Sequence, residues 1–488
     1  MFSCVKNEKN QYFNLVAGEW KASSQNQEIM IYSPANHQLL GTIPAMSQQE
    51  VDEVIHASKI AQKSWKAVTI DEKAEIMYRA ASLLIKNKEE LADLMRLEIA
   101  KDHKSSVSEV ERTADFIRFT ADTAKNISGE SIPGDSFPGG KSTKISIVQR
   151  EPLGVVLAIS PFNYPVNLAA SKIAPALMAG NAVVLKPATQ GSMCGLYLAR
   201  VFQEAGVPSG VLNTVTGKGS EIGDYITTHK EINFINFTGS TEIGTHISKI
   251  TCMVPLLMEL GGKDAAIVLK DADLDLAASN IVAGGFSYSG QRCTAVKRIL
   301  VEDEVADSLV KKILKNMEKL KVGDPLEGDV EIVPLISEKA ADFVVELIED
   351  AKKKGASLLT GGSRAGNLIQ PTLFDHVTTD MRIAWEEPFG PVLPIIRVHG
   401  KDEAIEIANE SEYGLQSAVF TQNIDDAFYV SNKLEVGTVQ INNKTERGPD
   451  HFPFLGVKAS GIGTQGIRYS IESMSRPKAT VINLANQS

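Results

Sequence analysis

Residues 154–185, GVVLAISPFNYPVNLAASKIAPALMAGNAVVL, decide the fold class of this chain. They begin and end with short apolar runs, and the segment between them predicts a helix over 165–179. Short apolar runs of this kind recur along the chain and predict strands at 154–159, 182–185, 211–215, 232–237 and 265–269. A second helix is predicted over 191–205, where Gly206 ends it. Short apolar strands that alternate with helices indicate an α/β fold with a parallel, doubly wound sheet.

Polar segments follow three of these predicted strands, at the point where each strand ends. They are SPFNYP (160–165), KPAT (186–189) and TGST (238–241). Ligands of doubly wound sheets bind at the carboxyl ends of the strands, so we expect the three segments to face one crevice. The glycines at 217, 219 and 223 have GxGxxxG spacing, and we interpret them as a turn that opens a helix. The 239–244 segment fits better as a helix start that faces a pyrophosphate.

A second stretch, GGFSYSGQRCTAVKR (284–298), places Cys293 in a small-residue loop. A thiol attacks as the thiolate, which a neighbouring cation such as Arg292 favours. A lone cysteine is more often buried and inert, but the flanking polar residues and the 287–290 run indicate a loop. We therefore interpret Cys293 as a nucleophile. Glu259 precedes two glycines that let the backbone turn closely around a ligand, and it is the candidate general base.

Composition excludes several classes of function. The chain has 488 residues, too many for one small core, with 43% hydrophobic and 23% charged residues. A net charge of −10 argues against binding to nucleic acid or to an anionic membrane. No apolar run approaches a membrane span or the core of a signal peptide, so we expect a cytoplasmic protein. The four cysteines lack metal-binding spacing and HExxH is absent from the sequence, so we expect no metal.

The motifs MELGGKD (258–264) and FSYSGQRC (286–293) resemble those of the aldehyde dehydrogenase superfamily, and the resemblance runs from about residue 12 to about residue 484. It is closest to the branch that oxidises glyceraldehyde 3-phosphate with NADP and forms no acyl phosphate. The family's fold implies a Rossmann-like cofactor-binding domain (1–130 and 151–258) and an α/β catalytic domain (259–447). It also implies projecting oligomerisation strands (131–150 and 470–488) that pair with a neighbouring subunit in a homotetramer.

The resemblance also implies roles for individual residues. Cys293, Glu259 and Asn163 would be catalytic: nucleophile, base for thioester hydrolysis and oxyanion ligand. Substrate-binding positions would be Arg112, Asn163, Tyr164, Arg292, Thr294 and Arg447, suited to a phosphorylated aldehyde. Cofactor-binding positions would be Ser160, Lys186, Thr189, Asp224, Gly239, Ser240, Thr241, Gly244, Glu387 and Phe389. Many NAD-using relatives carry a glutamate where this chain has Thr189, so NADP is favoured over NAD.

Two alternatives stay open at the level of sequence. Arginines also recognise carboxylates, so another anionic aldehyde such as succinate semialdehyde would suit the same residues. Cys293, Asn163 and Glu259 would also suffice for a thiol hydrolase that needs no cofactor, although the strand-end segments argue against it.

Overall fold

The computed structural model describes residues 2–485. Residue 1 and residues 486–488, at the outer ends of the ranges 1–130 and 470–488 predicted above, lie outside the described residues. The N-terminal region pairs four short strands in two hairpins and then forms four helices. They are β1 (Asn14–Val16), β2 (Glu19–Lys21), β3 (Glu28–Tyr32), β4 (Leu39–Pro44), α1 (Gln48–Trp65), α2 (Ile70–Lys86), α3 (Lys88–Ile99) and α4 (His103–Lys125).

The helix starts of this region follow from the sequence. Ser47 and Glu50 form a capping box at α1, and Thr69 and Glu72 form a second one at α2. Helix α3 ends at a left-handed Ala100, and Arg112 lies on the next helix, α4.

The next region contains the predicted parallel sheet. Its elements are β5 (Glu130–Pro133), β6 (Lys144–Pro152), β7 (Val155–Ser160), α5 (Asn167–Met178), β8 (Ala182–Pro187), α6 (Ser192–Glu204), β9 (Leu212–Thr214), α7 (Gly219–Thr227), β10 (Phe234–Thr238), α8 (Thr241–Ile250) and β11 (Leu256–Glu259). The parallel strands have the order β11-β10-β7-β8-β9. The chain reverses its direction of winding between β7 and β10, and such a switch point opens a crevice at the strand ends.

A second sheet follows. Its region comprises β12 (Ala265–Val268), α9 (Leu274–Phe286), β13 (Arg298–Glu302), α10 (Asp303–Met317), α11 (Glu338–Lys353), β14 (Ser357–Thr360), β15 (Arg364–Ala365), β16 (Leu368–Ile369), β17 (Thr372–Asp375), β18 (Val392–Val398), α12 (Lys401–Asn409), β19 (Tyr413–Gly414), β20 (Gln416–Phe420), α13 (Ile424–Lys433) and β21 (Thr438–Ile441). The sheet has the order β14-β17-β18-β13-β12-β20-β21.

One predicted strand of the first sheet lies in the second sheet instead. The apolar run 265–269 forms β12, but it pairs with β13 and β20 in the second sheet. The first sheet ends instead at β11, which carries Glu259. The two glycines after Glu259 separate β11 from β12, and the apolar pattern alone does not show that the chain changes sheets there.

The C-terminal region returns to the first sheet and then leaves it. Its elements are β22 (Val457–Lys458), β23 (Gly461–Ile462), α14 (Ile467–Ser473) and β24 (Ser475–Asn483). β23 pairs antiparallel with β11. β24 pairs along its length with β6, which also pairs with β5, so the two predicted strands near 144 and 480 form one three-stranded sheet. Within residues 2–485, no helix combines the length and the apolar character needed to cross a membrane.

Candidate active site

A cavity of about 440 Å³ lies between the two large sheets. It is bordered by the ends of β7 and β10 and by the segments that precede β13 and β18. Seven of the predicted site residues line it: Ser160, Asn163, Gly239, Ser240, Cys293, Glu387 and Phe389. The structure therefore brings cofactor-side and catalytic positions from four separate parts of the chain to one space.

The segment before Cys293 is fixed by buried hydrogen bonds. Helix α9 ends at Phe286, so the irregular segment begins at Ser287, as predicted for the 287–290 run. Tyr288 and Ser289 then adopt left-handed φ angles of 51° and 53°, which are costly for non-glycine residues. Their hydroxyls donate to the carbonyls of Ile99 at 2.9 Å and of Val333 at 2.7 Å. These bonds hold a strained turn that presents Cys293 to the cavity.

Burial disfavours the thiolate form of Cys293. Burial raises the pKa of Cys293 to about 11, and the charge of Glu259 acts in the same direction. The main opposing influence on this pKa is Lys297. The Lys297 ammonium is buried, lies 2.9 Å from Glu387 Oε1 and also donates to the Cys293 carbonyl. Lys297 belongs to the stretch singled out in the sequence, four residues beyond the thiol, but its burial was not evident there.

Arg292, predicted as the cation beside the thiol, is not among the main influences on the Cys293 pKa. Its buried guanidinium donates to the Gly284 carbonyl at 2.5 Å. The Arg292 Nε is buried and has no hydrogen-bond partner among the described residues.

Asn163 is held from both sides. Its side-chain amide donates to the Gln291 carbonyl at 2.9 Å, next to the nucleophile segment. Its own carbonyl accepts a bond from Lys101 Nζ at 3.1 Å. Lys101 forms a fully buried ion pair with Glu109 at 2.6 Å, and its ammonium lies 3.5 Å from the centre of the Tyr164 ring. The sequence patterns did not predict the Lys101–Glu109 pair, which supports both Asn163 and Tyr164.

Glu109 also fixes the helix that follows Asn163. Its second oxygen accepts the backbone N–H groups of Val166 and Asn167, both at 2.9 Å. These N–H groups are at the start of α5, where four donors lack partners within the helix and a carboxylate is favourable. The pair Lys101–Glu109 therefore connects the start of α5 to the active-site amide.

Glu259 lies at the end of β11 and is almost fully buried. Arg447 Nη1 lies 3.1 Å from its Oε2. The Thr238 hydroxyl also donates to Oε2, at 3.3 Å. Behind Thr238, the buried ammonium of Lys172 donates to that hydroxyl at 2.7 Å, and burial lowers the pKa of Lys172 to about 7. The candidate base thus has one cationic partner, Arg447, and one hydroxyl donor, Thr238, which Lys172 contacts from behind.

Arg112 and Arg447 come together around one carboxylate. Arg112 donates to both oxygens of Asp450, at 2.7 and 2.8 Å, and to the Arg447 carbonyl at 2.8 Å. Arg447 Nε lies 3.7 Å from the same Asp450. Arg112 and Tyr164 line a cavity of about 390 Å³, and Arg447 lines one of about 300 Å³. The carbonyl of Thr294 accepts a bond from the Thr445 hydroxyl at 3.0 Å.

The remaining cofactor-side positions lie outside the 440 Å³ cavity. Lys186 is at the end of β8, where burial lowers its pKa to about 8. Gly244 leaves room for Leu260, since an added Cβ would lie 2.3 Å from a Leu260 methyl, so this glycine has a packing role. Asp224 on α7 contacts His246 on α8 at 2.8 Å. Thr241 accepts the Gly261 N–H at 3.1 Å.

Helix α8 begins where the sequence predicted a helix start. Ser240 is the N-cap, and its side chain accepts the Ile243 N–H at 3.4 Å. Gly239 precedes it, and an added Cβ there would lie 2.5 Å from the Phe237 ring. Among residues 2–485, no group of three or more His, Cys, Asp or Glu side chains is arranged to hold a metal ion.

Comparison with known proteins gives consistent matches. The model of the aldehyde dehydrogenase family matches residues 20–480. The NADP-dependent glyceraldehyde-3-phosphate dehydrogenase of Streptococcus equinus is 58% identical over 475 residues, covering 97% of this chain and 99% of that protein. The protein of the same name from Triticum aestivum is 52% identical over 473 residues, covering 96% and 95%. The crystal structure of the Bacillus halodurans enzyme of that name, complexed with NADP, has a TM-score of 0.96 and 56% identity, covering 97% and 99%.

Proposed function

The chain belongs to the aldehyde dehydrogenase family, and we propose that it oxidises glyceraldehyde 3-phosphate to 3-phosphoglycerate with reduction of NADP and without an acyl phosphate. The observation that carries the substrate assignment is the group of arginines around the site. Arg112 and Arg447 share Asp450, and the buried Nε of Arg292 has no partner among the described residues. Guanidinium groups bind phosphate through charge-assisted, fork-shaped hydrogen bonds.

The residues of the crevice fit NADP. The N-terminus of α8, beginning at Gly239 and Ser240, suits the pyrophosphate. Lys186 and Thr189, at and after the end of β8, would face the adenosine ribose, where a hydroxyl tolerates the 2′-phosphate that a carboxylate would repel. Glu387 and Phe389, which line the cavity with Cys293, would hold the nicotinamide end. When bound there, NADP supplies the acceptor for the hydride of the substrate's aldehyde carbon.

The protein's own groups perform the covalent steps. The Cys293 sulfur bonds to the aldehyde carbon, and the carbonyl oxygen becomes an oxyanion. The Asn163 amide and the Cys293 backbone N–H stabilise that oxyanion. Loss of the hydride converts this adduct into a thioester. Glu259 then takes a proton from water, the water oxygen adds to the thioester carbon, and the bond to Cys293 breaks to release the carboxylic acid.

The geometry supports hydrolysis over transfer to phosphate because Glu259 is placed in the same buried site as the thiol, close enough for its charge to influence the Cys293 pKa. Lys297 has a role that the sequence did not predict. Its buried ammonium favours the thiolate that the first step requires, and it pairs with Glu387 at the cofactor end of the cavity.

The direct test is turnover of glyceraldehyde 3-phosphate with NADP in buffer free of inorganic phosphate, with NAD and succinate semialdehyde in parallel. We expect NADPH and 3-phosphoglycerate in equal amounts. Cys293→Ser should reduce turnover by roughly 10³-fold or more, whereas the exposed Cys252→Ser serves as the matched control. Turnover of succinate semialdehyde alone would reject the substrate assignment. Absence of NADP binding in calorimetry would reject the dehydrogenase.

We also propose that the protein is a cytoplasmic homotetramer, with the three-stranded sheet β24-β6-β5 as an oligomerisation surface. β24 is an edge strand of nine residues, and exposed apolar side chains lie on this sheet and just after it: Ile132, Ile147, Val481, Ile482 and Leu484. Long apolar edge strands are normally covered. Light scattering of the purified protein, compared with Val481→Lys, tests the assignment. Its four cysteines form no disulfide, as is usual in the cytoplasm.

A further inference from the structure

The guanidinium of Arg447 contacts the candidate base Glu259 and is also proposed to bind the substrate's phosphate. Arg447 Nη1 lies 3.1 and 3.4 Å from the two oxygens of Glu259, and its Nη2 donates to Gln465. The side chains are largely buried, with 12% and 4% exposure for Arg447 and Glu259. Arg447 is also one of the arginines that would hold the substrate's phosphate. The structure thus places this arginine in direct contact with the candidate base.

This contact has a chemical consequence for Glu259. A carboxylate acts as a base through a free oxygen lone pair directed at water. Here the guanidinium faces both oxygens, and Thr238 donates to one of them. A water molecule in this position would compete with a charged donor, and charged hydrogen bonds in a buried site are the strong ones. This competition would slow hydrolysis while Arg447 stays on Glu259.

Arg447 is linked to Arg112, the other arginine proposed to bind the phosphate. Arg112 forms two hydrogen bonds with Asp450 and donates to the Arg447 carbonyl. Arg447 Nε already lies 3.7 Å from Asp450, and the guanidinium is stacked 5.0 Å from the centre of the Phe454 ring. A dianion bound beside Arg112 would attract Arg447 more strongly than the single charge of Glu259. Glu259 would keep Thr238 as a donor, so its release leaves no unpartnered buried carboxylate.

We propose that Arg447 is shared between Glu259 and the anionic group of the substrate, so that a bound phosphate dianion frees the base for thioester hydrolysis. The proposal rests on the proposed function, since it assigns a control step to that reaction. In the freed state, Glu259 accepts a proton from water, the water oxygen bonds to the thioester carbon, and the Cys293 thiolate departs. The phosphate dianion is unchanged, so it acts as an activator that the substrate normally carries with it.

An uncharged aldehyde separates the reaction at Cys293 from the binding of the dianion. D-Glyceraldehyde has the same reacting end without the phosphate, and phosphite can be added as a separate dianion. With the full-length protein and NADP, we expect a rapid burst of about one NADPH per subunit with glyceraldehyde alone, followed by slow steady turnover. Phosphite, at constant ionic strength, should raise the steady rate at least about tenfold and leave the burst rate constant within about twofold. Glycerate should be the product in both cases.

Variants distinguish the release of Glu259 from a change in the affinity for phosphite. Arg447→Gln removes the group that holds Glu259, so slow hydrolysis of the glyceraldehyde thioester should disappear and phosphite should lose its effect. Arg112→Gln leaves Arg447 on Glu259, so phosphite should still activate but at higher concentrations. Arg468→Gln is the matched control, because Arg468 is exposed and pairs only with Glu472 among the described residues.

Three results would overturn the proposal: no effect of phosphite on wild-type protein, equal acceleration of burst and steady turnover, or loss of thioester hydrolysis in Arg447→Gln. The wild-type measurement does not depend on whether a variant folds. Failure of the proposed function is distinct, because it would appear as absent turnover of glyceraldehyde 3-phosphate itself.

Discussion

Replacing Lys101 with methionine tests the buried ion pair behind the active-site amide. Lys101 Nζ lies 2.6 Å from Glu109 Oε2, and both side chains are 0% exposed. Methionine fills most of the volume of lysine but leaves the Glu109 carboxylate with the N–H donors of Val166 and Asn167 only. Removing one partner of a buried pair costs about 3–5 kcal/mol. This corresponds to a change of roughly 100-fold to several thousand-fold in the unfolding equilibrium.

A matched control lies in the same part of the chain. Lys88 at the start of α3 pairs with Glu111 on α4, also at 2.6 Å, but the two side chains are 33% and 47% exposed. Exposed pairs contribute about 0–1 kcal/mol, so Lys88→Met should change stability little. Urea unfolding followed by tryptophan fluorescence gives the comparison, since Trp65 is buried in the same core. Turnover should also fall in Lys101→Met, because the Asn163 carbonyl loses its donor.

The double variant Lys101→Met/Glu109→Gln completes the test. It removes both charges while the glutamine oxygen still accepts the N–H groups at the start of α5. We expect it to be more stable than Lys101→Met alone. Equal shifts of the urea midpoint for Lys101→Met and Lys88→Met would refute the reasoning. So would a double variant whose loss of stability equals the sum of the losses in Lys101→Met alone and Glu109→Gln alone.

Three further predictions concern the cofactor and two titrating groups. Thr189→Glu should lower kcat/KM for NADP by at least about tenfold and affect NAD much less, because a carboxylate repels the 2′-phosphate; steady-state kinetics with both cofactors measures this. Without cofactor, iodoacetamide inactivation at Cys293 should accelerate about tenfold per pH unit toward its pKa of about 11, and Lys297→Met should slow it at pH 9. The free energy of unfolding should rise between about pH 7 and about pH 10.5. In this range Lys172 keeps its proton in the unfolded chain, where its pKa is higher, and has lost it in the folded protein. In urea titrations, Lys172→Met should flatten this dependence on pH.

Much of the fold was readable from local patterns. The capping box at Ser47, the strand–helix alternation from 154 onward and the helix start at 239–241 are all present. These features depend on residues close together in sequence, through side-chain periodicity and satisfaction of the first N–H groups of a helix. The strand pattern grouped 265–269 with the first sheet because strand pairing is a long-range property, although the domain ranges implied by the resemblance already placed this run in the catalytic domain.

The family, the parallel sheet and the residue types at the site were readable from the chain, since motifs and periodicity are local. Which charges meet depends on the folded structure. Arg292 donates to the Gly284 carbonyl, while Lys297 is the cation that acts on the thiol. Arg447 reaches Glu259 across 188 residues. Electrostatic interaction depends on distance and burial in space, and neither quantity can be read from spacing along the chain.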